Sequence, residues 1–240
     1  MVIAAVLAGG IGSRMGNSAL PKQFLPLGSK PVIIHTIEKF LVHPQVDQVV
    51  VLCPRAWVGY TQDLMREQLP GEPRAAVAEG GETRNDTLRR ALDYAAEQFG
   101  TQEDHLLLTH DAVRPFVTHR IISENIAAAA AYGACDTVIP ATDTIVQSAD
   151  GQTISVIPDR KTMFQGQTPQ SFRVNKLREL MASLTAEEQE ILTDACKIYA
   201  LRGEPVALVA GETYNMKITY PFDLKVAQSL LNLEGTAKHD

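Results

Sequence analysis

The chain has 240 residues, of which 45% are hydrophobic and 21% are charged, and its formal net charge is −6. This length suits one large α/β domain over residues 1–240 better than two small ones, and such a core needs no disulfide or metal to fold. The acidic balance disfavours nucleic acid and anionic membranes as partners, so an anionic ligand must be bound by a local group of Arg and Lys.

The predicted elements follow an α/β order, because short apolar runs alternate with amphipathic stretches along the chain. Strands are predicted at residues 2–7, 49–52, 106–109, 138–139 and 206–209. Helices are predicted over residues 33–41 and 88–99, after an N-cap at Thr118, and around Leu224, Ala227 and Leu231. The pattern predicts an α/β fold with a mostly parallel sheet.

Residues 143–165 depart from this order and predict a β-arm that projects from the core. Their β-branched residues alternate around Ala149-Asp150-Gly151-Gln152, which is a hairpin signal. A strand pair outside a core usually needs a partner, so we expect the arm to contact a second copy of the chain in a homodimer. A plain surface hairpin is the alternative.

The cysteines and the N-terminal segment indicate where the protein resides. Cys53, Cys135 and Cys196 form no CxxC pair, which favours a reducing compartment and disfavours a disulfide framework or a zinc site. The apolar start lacks a basic flank and leads directly into Gly9-Gly10, so it is a poor signal peptide. No apolar run approaches the ~20 residues that span a bilayer. We therefore expect a cytoplasmic protein without a membrane partner.

The strongest local motif is a glycine-rich loop directly after the first strand. It reads Leu7-Ala8-Gly9-Gly10-Ile11-Gly12-Ser13-Arg14-Met15-Gly16, and Pro21-Lys22-Gln23 follows. Backbone amides in such a turn can approach a phosphate, and Arg14 and Lys22 add two cations where charge accumulates during phosphoryl transfer. A dinucleotide fingerprint fails because its sixth position is Met15, and no Gly-Lys-Ser/Thr closes a Walker loop. A turn with two solvated cations is the structural alternative.

This loop is similar to the signature of the cytidylyltransferases that act on methylerythritol phosphate and ribitol phosphate. The resemblance continues over nearly the whole chain, in the family's order. Its further blocks are Gly80-Gly81-Glu82-Thr83-Arg84-Asn85, Thr109-His110-Asp111-Ala112-Val113-Arg114-Pro115, Gln165-Gly166-Gln167-Thr168-Pro169-Gln170, Leu192-Thr193-Asp194-Ala195 and Asn215-Met216-Lys217-Ile218-Thr219. The resemblance implies a Rossmann-like three-layer nucleotidyltransferase domain.

Several details favour the ribitol phosphate branch of this family over the methylerythritol phosphate branch. They are Leu7-Ala8-Gly9-Gly10, Phe116 after Arg114-Pro115, Gly166-Gln167 before Thr168, and Asp194-Ala195-Cys196-Lys197. Transfer of CMP from CTP to ribitol 5-phosphate is therefore the first hypothesis, and the same chemistry on methylerythritol phosphate is the nearest alternative. A non-catalytic nucleotide-binding subunit and a dinucleotide-dependent dehydrogenase are alternatives from other classes.

The resemblance also implies a role for each matching residue. Arg14 and Lys22 would stabilise the transition state. CTP would be bound by Leu7, Ala8, Gly9, Gly10, Gly81, Glu82, Thr83, Arg84, Asn85, Asp86, Thr87, Asp111 and Ala112. The acceptor phosphate would be bound by Arg160, Lys217, Thr168 and Thr193, with Arg160 reaching from the arm into the partner's site.

A second argument, independent of the resemblance, predicts that Asp111 lies in a site, because it follows the apolar run at residues 106–108. Ligands of open α/β sheets bind at the carboxyl ends of the strands. A carboxylate there can hold Mg²⁺ between phosphate oxygens, which predicts Mg²⁺ as the cofactor. A salt bridge to Arg114 or a helix N-cap would explain Asp111 equally well.

Overall fold

A seven-stranded sheet organises the computed structural model, which describes residues 1–10, 20–102, 104–190, 192 and 194–236. Within these residues the strands are β1 (Val2–Leu7), β2 (Pro26–Leu27), β3 (Lys30–Pro31), β4 (Gln48–Cys53), β5 (Ala75–Glu79), β6 (Leu106–Asp111), β7 (Ala134–Pro140), β8 (Phe164–Arg173) and β9 (Ala207–Ala210). The helices are α1 (Val32–Leu41), α2 (Val58–Gln68), α3 (Arg84–Phe99), α4 (His119–Tyr132), α5 (Val174–Ala182), α6 (Ala186–Glu190), α7 (Ala195–Leu201) and α8 (Pro221–Thr236).

The strand order across the large sheet is β5-β4-β1-β6-β8-β7-β9. β8 runs antiparallel to both of its neighbours, whereas the other paired strands of this sheet are parallel. The carboxyl ends of β1, β4, β5 and β6 therefore meet at one edge of the sheet. Apolar residues of α1, α2 and α4 cover one face, and those of α3, α5 and α7 cover the other. The predicted three-layer α/β fold with a mostly parallel sheet is confirmed.

β1 shows why the centre of this sheet is parallel. Its residues Ile3, Ala4, Ala5 and Val6 are all fully buried, since helices cover both faces. An uninterrupted apolar run, instead of an alternating one, is typical of strands in that position. Leu7, the last residue of β1, is aligned with Asp111, the last residue of β6, so the glycine loop and Asp111 start from the same edge.

Every predicted strand and helix is present, most of them longer by a few residues at one or both ends. Thr118 is confirmed as an N-cap, because its hydroxyl oxygen accepts a hydrogen bond of 3.2 Å from the Ile121 N–H. The sequence did not predict β8, since its polar residues and Pro169 do not resemble a strand. No helix in the part of the chain that the structure describes is long and apolar enough to cross a membrane.

The hairpin predicted around residues 149–152 is present, and one antiparallel bridge, between Gln147 and Val156, joins its two sides in place of a continuous ladder. The Asp150 carboxylate holds the turn by accepting hydrogen bonds of 2.8 Å from the N–H groups of Gln152 and Thr153. Most side chains of this segment are exposed, so little packing supports a longer ladder in the isolated chain.

Candidate active site

A cavity of about 350 Å³ lies at the carboxyl edge of the sheet, where β1, β5 and β6 end. Its wall combines the start of the glycine loop, the turn after β5, the end of β6 and a segment near the carboxyl end of the chain. The lining residues are Leu7, Ala8, Gly9, Gly10, Lys22, Gln23, Gly81, Glu82, Thr83, Arg84, Thr87, Asp111, Ala112, Val113, Lys217 and Thr219. The structure thus brings together most of the residues predicted from separate sequence blocks.

Asp111 is the electrostatic centre of this cavity. Its Oδ1 lies 2.9 Å from Nη1 of Arg84, and its Oδ2 lies 3.1 Å from both Nε of Arg114 and Nζ of Lys217. Burial by itself would raise the pKa of Asp111, but the charges of Arg84, Lys217 and Arg114 outweigh it and hold the pKa well below its usual range. The carboxylate therefore stays ionised, and the salt bridge to Arg114, which was the alternative interpretation of Asp111, is formed.

A chain of hydrogen bonds behind Asp111 fixes its backbone. The Asp111 N–H donates to Oγ1 of Thr168 over 3.1 Å, and the Thr168 hydroxyl donates to Nδ1 of His110 over 2.9 Å. Nε2 of His110 donates to the carbonyl oxygen of Arg114 over 3.1 Å. Burial lowers the pKa of His110 to about 4, so the ring is neutral and donates only through Nε2.

Thr168 does not line the cavity, in contrast to its predicted contact with the acceptor phosphate. The residue is buried, and its hydroxyl is used between Asp111 and His110. The sequence could not reveal this, because the partner of Thr168 follows from β8 lying beside β6.

Gly80 and Gly81 make the turn from β5 into α3, as predicted. A Cβ on Gly81 would lie 2.1 Å from Cβ of Asp86, so only glycine fits there. Thr83 caps α3: its hydroxyl oxygen accepts from the Asp86 N–H, and the Asp86 carboxylate accepts from the Thr83 N–H. Asp86 does not line the cavity, so its predicted nucleotide contact is replaced by a capping role.

Asn85 is also directed away from the described cavity lining, contrary to its predicted base or ribose contact. Its Nδ2 donates to the carbonyl oxygen of Leu192 over 3.0 Å, which ties the first turn of α3 to the segment before α7. Two further predicted residues, Arg14 and Thr193, lie outside the residues that the structure describes.

Lys22 and Arg160 occupy different environments. Lys22 is buried in the wall of the cavity, close to the Gly9-Gly10 backbone. Arg160 is exposed on the arm, where its Nη1 donates to the carbonyl oxygen of Thr142 over 2.8 Å, and it does not line the cavity.

Two supporting residues were missed from the sequence. Gln23 donates through Nε2 to the Ala8 carbonyl over 2.8 Å and so joins both ends of the glycine loop. Asn215 donates through Nδ2 to the backbone carbonyl oxygen of Thr168 over 2.9 Å. The backbone carbonyl oxygen of Asn215 accepts a hydrogen bond of 2.8 Å from Nη1 of Arg114. These bonds place Lys217 beside Asp111. Both residues stand in sequence blocks quoted for the family resemblance, where Gln23 directly follows Lys22 and Asn215 lies two residues before Lys217.

Comparisons with known proteins show the family of the chain and support its fold. Residues 2–233 match the sequence profile of the family described as IspD: 2-C-methyl-D-erythritol 4-phosphate cytidylyltransferase. A crystal structure of 2-C-methyl-D-erythritol 4-phosphate cytidylyltransferase from Thermus thermophilus is 28% identical in sequence and has a TM-score of 0.70. The match covers 97% of this chain and 98% of that one.

Two crystal structures of 4-diphosphocytidyl-2C-methyl-D-erythritol synthase are also similar. One is 28% identical with a TM-score of 0.77, and the match covers 96% of this chain and 97% of that one. The other, from Anaerococcus prevotii, is 23% identical with a TM-score of 0.79 and 96% coverage of both chains. Because the family profile matches nearly the whole chain, the chain belongs to the IspD family and is a CTP-dependent cytidylyltransferase.

Proposed function

We propose that this enzyme transfers the cytidylyl group of CTP to the phosphate of ribitol 5-phosphate, giving CDP-ribitol and pyrophosphate. The observation that carries the proposal is a cavity lined by Lys22, Arg84 and Lys217, in which Arg84 and Lys217 pair with the ionised carboxylate of Asp111. Such a cavity suits two phosphorylated molecules, because each brings negative charge and the net charge of the chain, −6, does not by itself attract anions.

CTP would occupy the side of the cavity formed by the glycine loop and the turn after β5. The exposed backbone of Gly9 and Gly10 can approach the triphosphate, with Lys22 in the wall beside it. The base would lie against Gly81 and Glu82 in the cavity wall, and Thr87 supports that turn by accepting from the Gly81 N–H over 3.1 Å.

The reaction would be an in-line displacement at the α-phosphorus of CTP. A phosphate oxygen of the acceptor forms the new P–O bond, and the bond from the α-phosphorus to the bridging oxygen breaks and releases pyrophosphate. The acceptor phosphate is already ionised at neutral pH, so no general base is needed. Lys22 and Arg14 would neutralise the charge that builds up between two anions held close together.

Mg²⁺ is the cofactor that this site would use. Among the described cavity residues, Asp111 is positioned to contribute a carboxylate ligand, which fits an ion whose other ligands are phosphate oxygens and water. When bound, Mg²⁺ would draw the phosphates of CTP together and neutralise part of their charge. Arg84 and Lys217 now pair with Asp111 and would turn toward the phosphates.

The acceptor phosphate would be held by Lys217 and by Arg160 from a second copy of the chain. Arg160 does not line the cavity of its own chain, which is consistent with service to a partner. The arm also exposes apolar side chains that a partner would cover, namely Val146, Ile154, Val156, Ile157 and Phe164. We therefore propose a homodimer through residues 143–165.

Methylerythritol phosphate is the second candidate acceptor, because the family description and the similar structures carry its name. What supports ribitol 5-phosphate is the set of branch-specific residues, among them Asp194-Ala195-Cys196-Lys197, in a segment joined to the cavity wall through Asn85. The two acceptors differ in shape and in the number of their hydroxyl groups, so the shape and the hydrogen-bonding groups of the acceptor pocket determine which one is preferred.

Pyrophosphate release with CTP and Mg²⁺ tests the proposal when both acceptors are assayed side by side. We expect kcat/KM for ribitol 5-phosphate to exceed that for methylerythritol phosphate by at least about tenfold, since missing hydroxyl contacts cost that much or more. A preference for methylerythritol phosphate would overturn the ribitol assignment. Turnover with neither would overturn the choice of a polyol phosphate.

A further inference from the structure

A group of acidic and polar side chains lies beside the candidate active site and takes no part in the chemistry above. It consists of Asp136 on β7, Asp194 at the N-cap of α7, Cys196 in the first turn of that helix, and Gln170 on β8. Ligand atoms of Asp136, Asp194 and Cys196 all lie within 4.8 Å of one another. We call this group the acidic cluster.

Gln170 holds the two carboxylates from behind. Its Nε2 lies 3.1 Å from Oδ1 of Asp136, 2.9 Å from Oδ1 of Asp194 and 2.8 Å from Oδ2 of Asp194. Gln170 is only 1% exposed, and its Oε1 has no hydrogen-bond partner among the residues that the structure describes. A buried carbonyl oxygen without a hydrogen-bond donor costs about 1–3 kcal/mol. The contacts among the described residues therefore leave part of the hydrogen-bonding capacity of Gln170 unused.

Asp136 also keeps an unused acceptor. Its Oδ2 makes no hydrogen bond to any residue in the described part of the chain, although Oδ1 is bound by Gln170. The side chain is partly exposed, and Gly166 leaves space beside it, because a Cβ there would lie 3.6 Å from Oδ2. The acidic cluster therefore presents one acceptor without a donor, Oδ2 of Asp136, on a side chain that solvent partly reaches.

The cluster lies close to Asp111 on the same side of the sheet. Thr109 of β6, Gln170 and Asp136 are aligned across three neighbouring strands, two residues before Asp111 in β6. Burial raises the pKa of Asp136, and the charges of Arg114 and Arg84, both of which contact Asp111, are near enough to oppose that rise. None of the four cluster residues lines the described cavity, so an acceptor would meet the cluster by extending past Asp111.

A bound cation fits this cluster poorly. Nε2 of Gln170 already lies within hydrogen-bond distance of three of the four carboxylate oxygens, and the nearby Arg84 and Arg114 add positive charge. Burial, followed by the charges of the two carboxylates, raises the pKa of Cys196 far above its ordinary value, which disfavours the thiolate that binds metals. Neutral hydroxyl groups carry the donors that the cluster lacks.

We propose that Asp136 and Asp194 form a hydroxyl-binding subsite for the carbon chain of the acceptor, with Asp136 as the residue that sets acceptor specificity. A hydroxyl of the polyol donates to Oδ2 of Asp136, and Gln170 keeps both carboxylates in place. This inference rests on the proposed transfer to a polyol phosphate. It also gives a reason for the preference, because ribitol 5-phosphate carries one more free hydroxyl than methylerythritol phosphate and lacks its methyl group.

The test compares wild type with Asp136→Asn, which keeps the shape of the side chain and removes its charge. Steady-state kinetics are measured with ribitol 5-phosphate, with its monodeoxy analogues and with methylerythritol phosphate. We expect Asp136→Asn to raise KM for ribitol 5-phosphate at least about tenfold and to leave KM for CTP within about twofold. Asp93→Asn, on the exposed face of α3, is the matched control and should change neither.

The analogues separate a contact from a structural effect. One monodeoxy analogue should lose at least about tenfold in kcat/KM with wild type, and that loss should shrink to within about threefold with Asp136→Asn. An unchanged KM in the variant, while wild type is active, would overturn the subsite alone. No turnover by wild type with any polyol phosphate would overturn the proposed function and the subsite with it.

A binding measurement without nucleotide covers the cation alternative. The melting temperatures of wild type and Asp136→Asn are recorded with Zn²⁺ alone and with Mg²⁺ alone. We expect neither ion to stabilise wild type relative to the variant. Selective stabilisation of wild type by either ion would identify the cluster as a metal site and overturn the proposal.

Discussion

Lys217 Nζ lies 3.1 Å from Oδ2 of Asp111, and this ion pair joins the carboxyl-terminal segment to the end of β6. The Lys217 side chain is 39% exposed, whereas that of Asp111 is 7% exposed. The lysine of this pair is therefore the partner that faces the cavity, and an incoming phosphate can compete with Asp111 for its ammonium group. This competition is the basis of the first prediction.

Lys217→Met should weaken acceptor binding with little effect on folding. An ion pair with a partly exposed partner contributes about 0–1 kcal/mol to stability, so the free energy of unfolding should fall by no more than about 1 kcal/mol. KM for the acceptor should rise at least about tenfold, because the phosphate loses a cation. Steady-state kinetics and urea unfolding measure both quantities. Arg114→Met is the contrast, since breaking a buried pair costs about 3–5 kcal/mol. A Lys217→Met protein that unfolds like Arg114→Met would contradict the assignment.

Lys22→Ala should lower turnover by about 10²–10³, the usual effect of removing one donor that stabilises a transition state. The same loss is expected for Arg14→Ala. Turnover is measured by pyrophosphate release at saturating CTP and acceptor, with circular dichroism as the check on folding. Lys39→Ala, on α1 and outside the cavity lining, is the control. Near-wild-type turnover in both Lys22→Ala and Arg14→Ala would remove their proposed role.

Thr168→Val distinguishes a structural hydroxyl from one that binds substrate. The valine keeps the volume of threonine but leaves the Asp111 N–H and Nδ1 of His110 without partners in the interior. The free energy of unfolding should fall by about 1–3 kcal/mol, as expected for unsatisfied buried groups. Urea denaturation measures this loss. If stability is unchanged while KM for the acceptor rises, Thr168 contacts the acceptor and the internal role is wrong.

Gly81→Ala should destabilise the protein and weaken CTP binding, since the added Cβ would lie 2.1 Å from Cβ of Asp86. The start of α3 must then move, and such overpacking costs about 1–3 kcal/mol. Gly59→Ala is the matched control, because its Cβ would meet nothing within 4 Å inside α2. That change should stabilise the protein by about 0.5–1 kcal/mol. Thermal unfolding of the two variants should shift in opposite directions.

The acidic cluster predicts a pH dependence of stability. Burial, together with the charge of Asp194, raises the pKa of Asp136 to about 7, against the lowering effects of Gln170, Arg114 and Arg84. The folded protein then binds a proton that the unfolded chain releases near about pH 4, so this stabilisation is present below about pH 4 and is lost as the pH rises to about 7.

Wild type should therefore lose about 1–3 kcal/mol relative to Asp136→Asn between about pH 5 and pH 8. Urea unfolding of both proteins at the two pH values measures this difference. If the difference between the two proteins is constant with pH, the carboxyl group of Asp136 does not have a raised pKa.

Local patterns predicted most of the sheet and the position of the site. The buried runs that become β1, β4 and β6 can be recognised from consecutive apolar residues, and Asp111 follows one of them. β8 could not be recognised, because its polar residues are satisfied by partners on two other strands. Strand order, not sequence spacing, brings Thr168 behind Asp111.

Several single-residue roles depended on the same missing information. Asn85 and Asp86 follow the glycine turn and resemble ligand contacts, but one is bound by the carbonyl oxygen of Leu192 and the other caps α3. The acidic cluster could not be predicted either, since Asp136, Gln170 and Asp194 come together only when β7, β8 and the start of α7 pack.

A crystal structure with ribitol 5-phosphate, Mg²⁺ and an α,β-methylene analogue of CTP, which cannot release pyrophosphate, would test the shared cavity most directly. We predict that the analogue's phosphates lie within hydrogen-bond distance of Lys22 and the acceptor phosphate within hydrogen-bond distance of Lys217, in one cavity at the carboxyl edge of the sheet. An acceptor bound away from Lys217, or a nucleotide bound outside this cavity, would contradict the account.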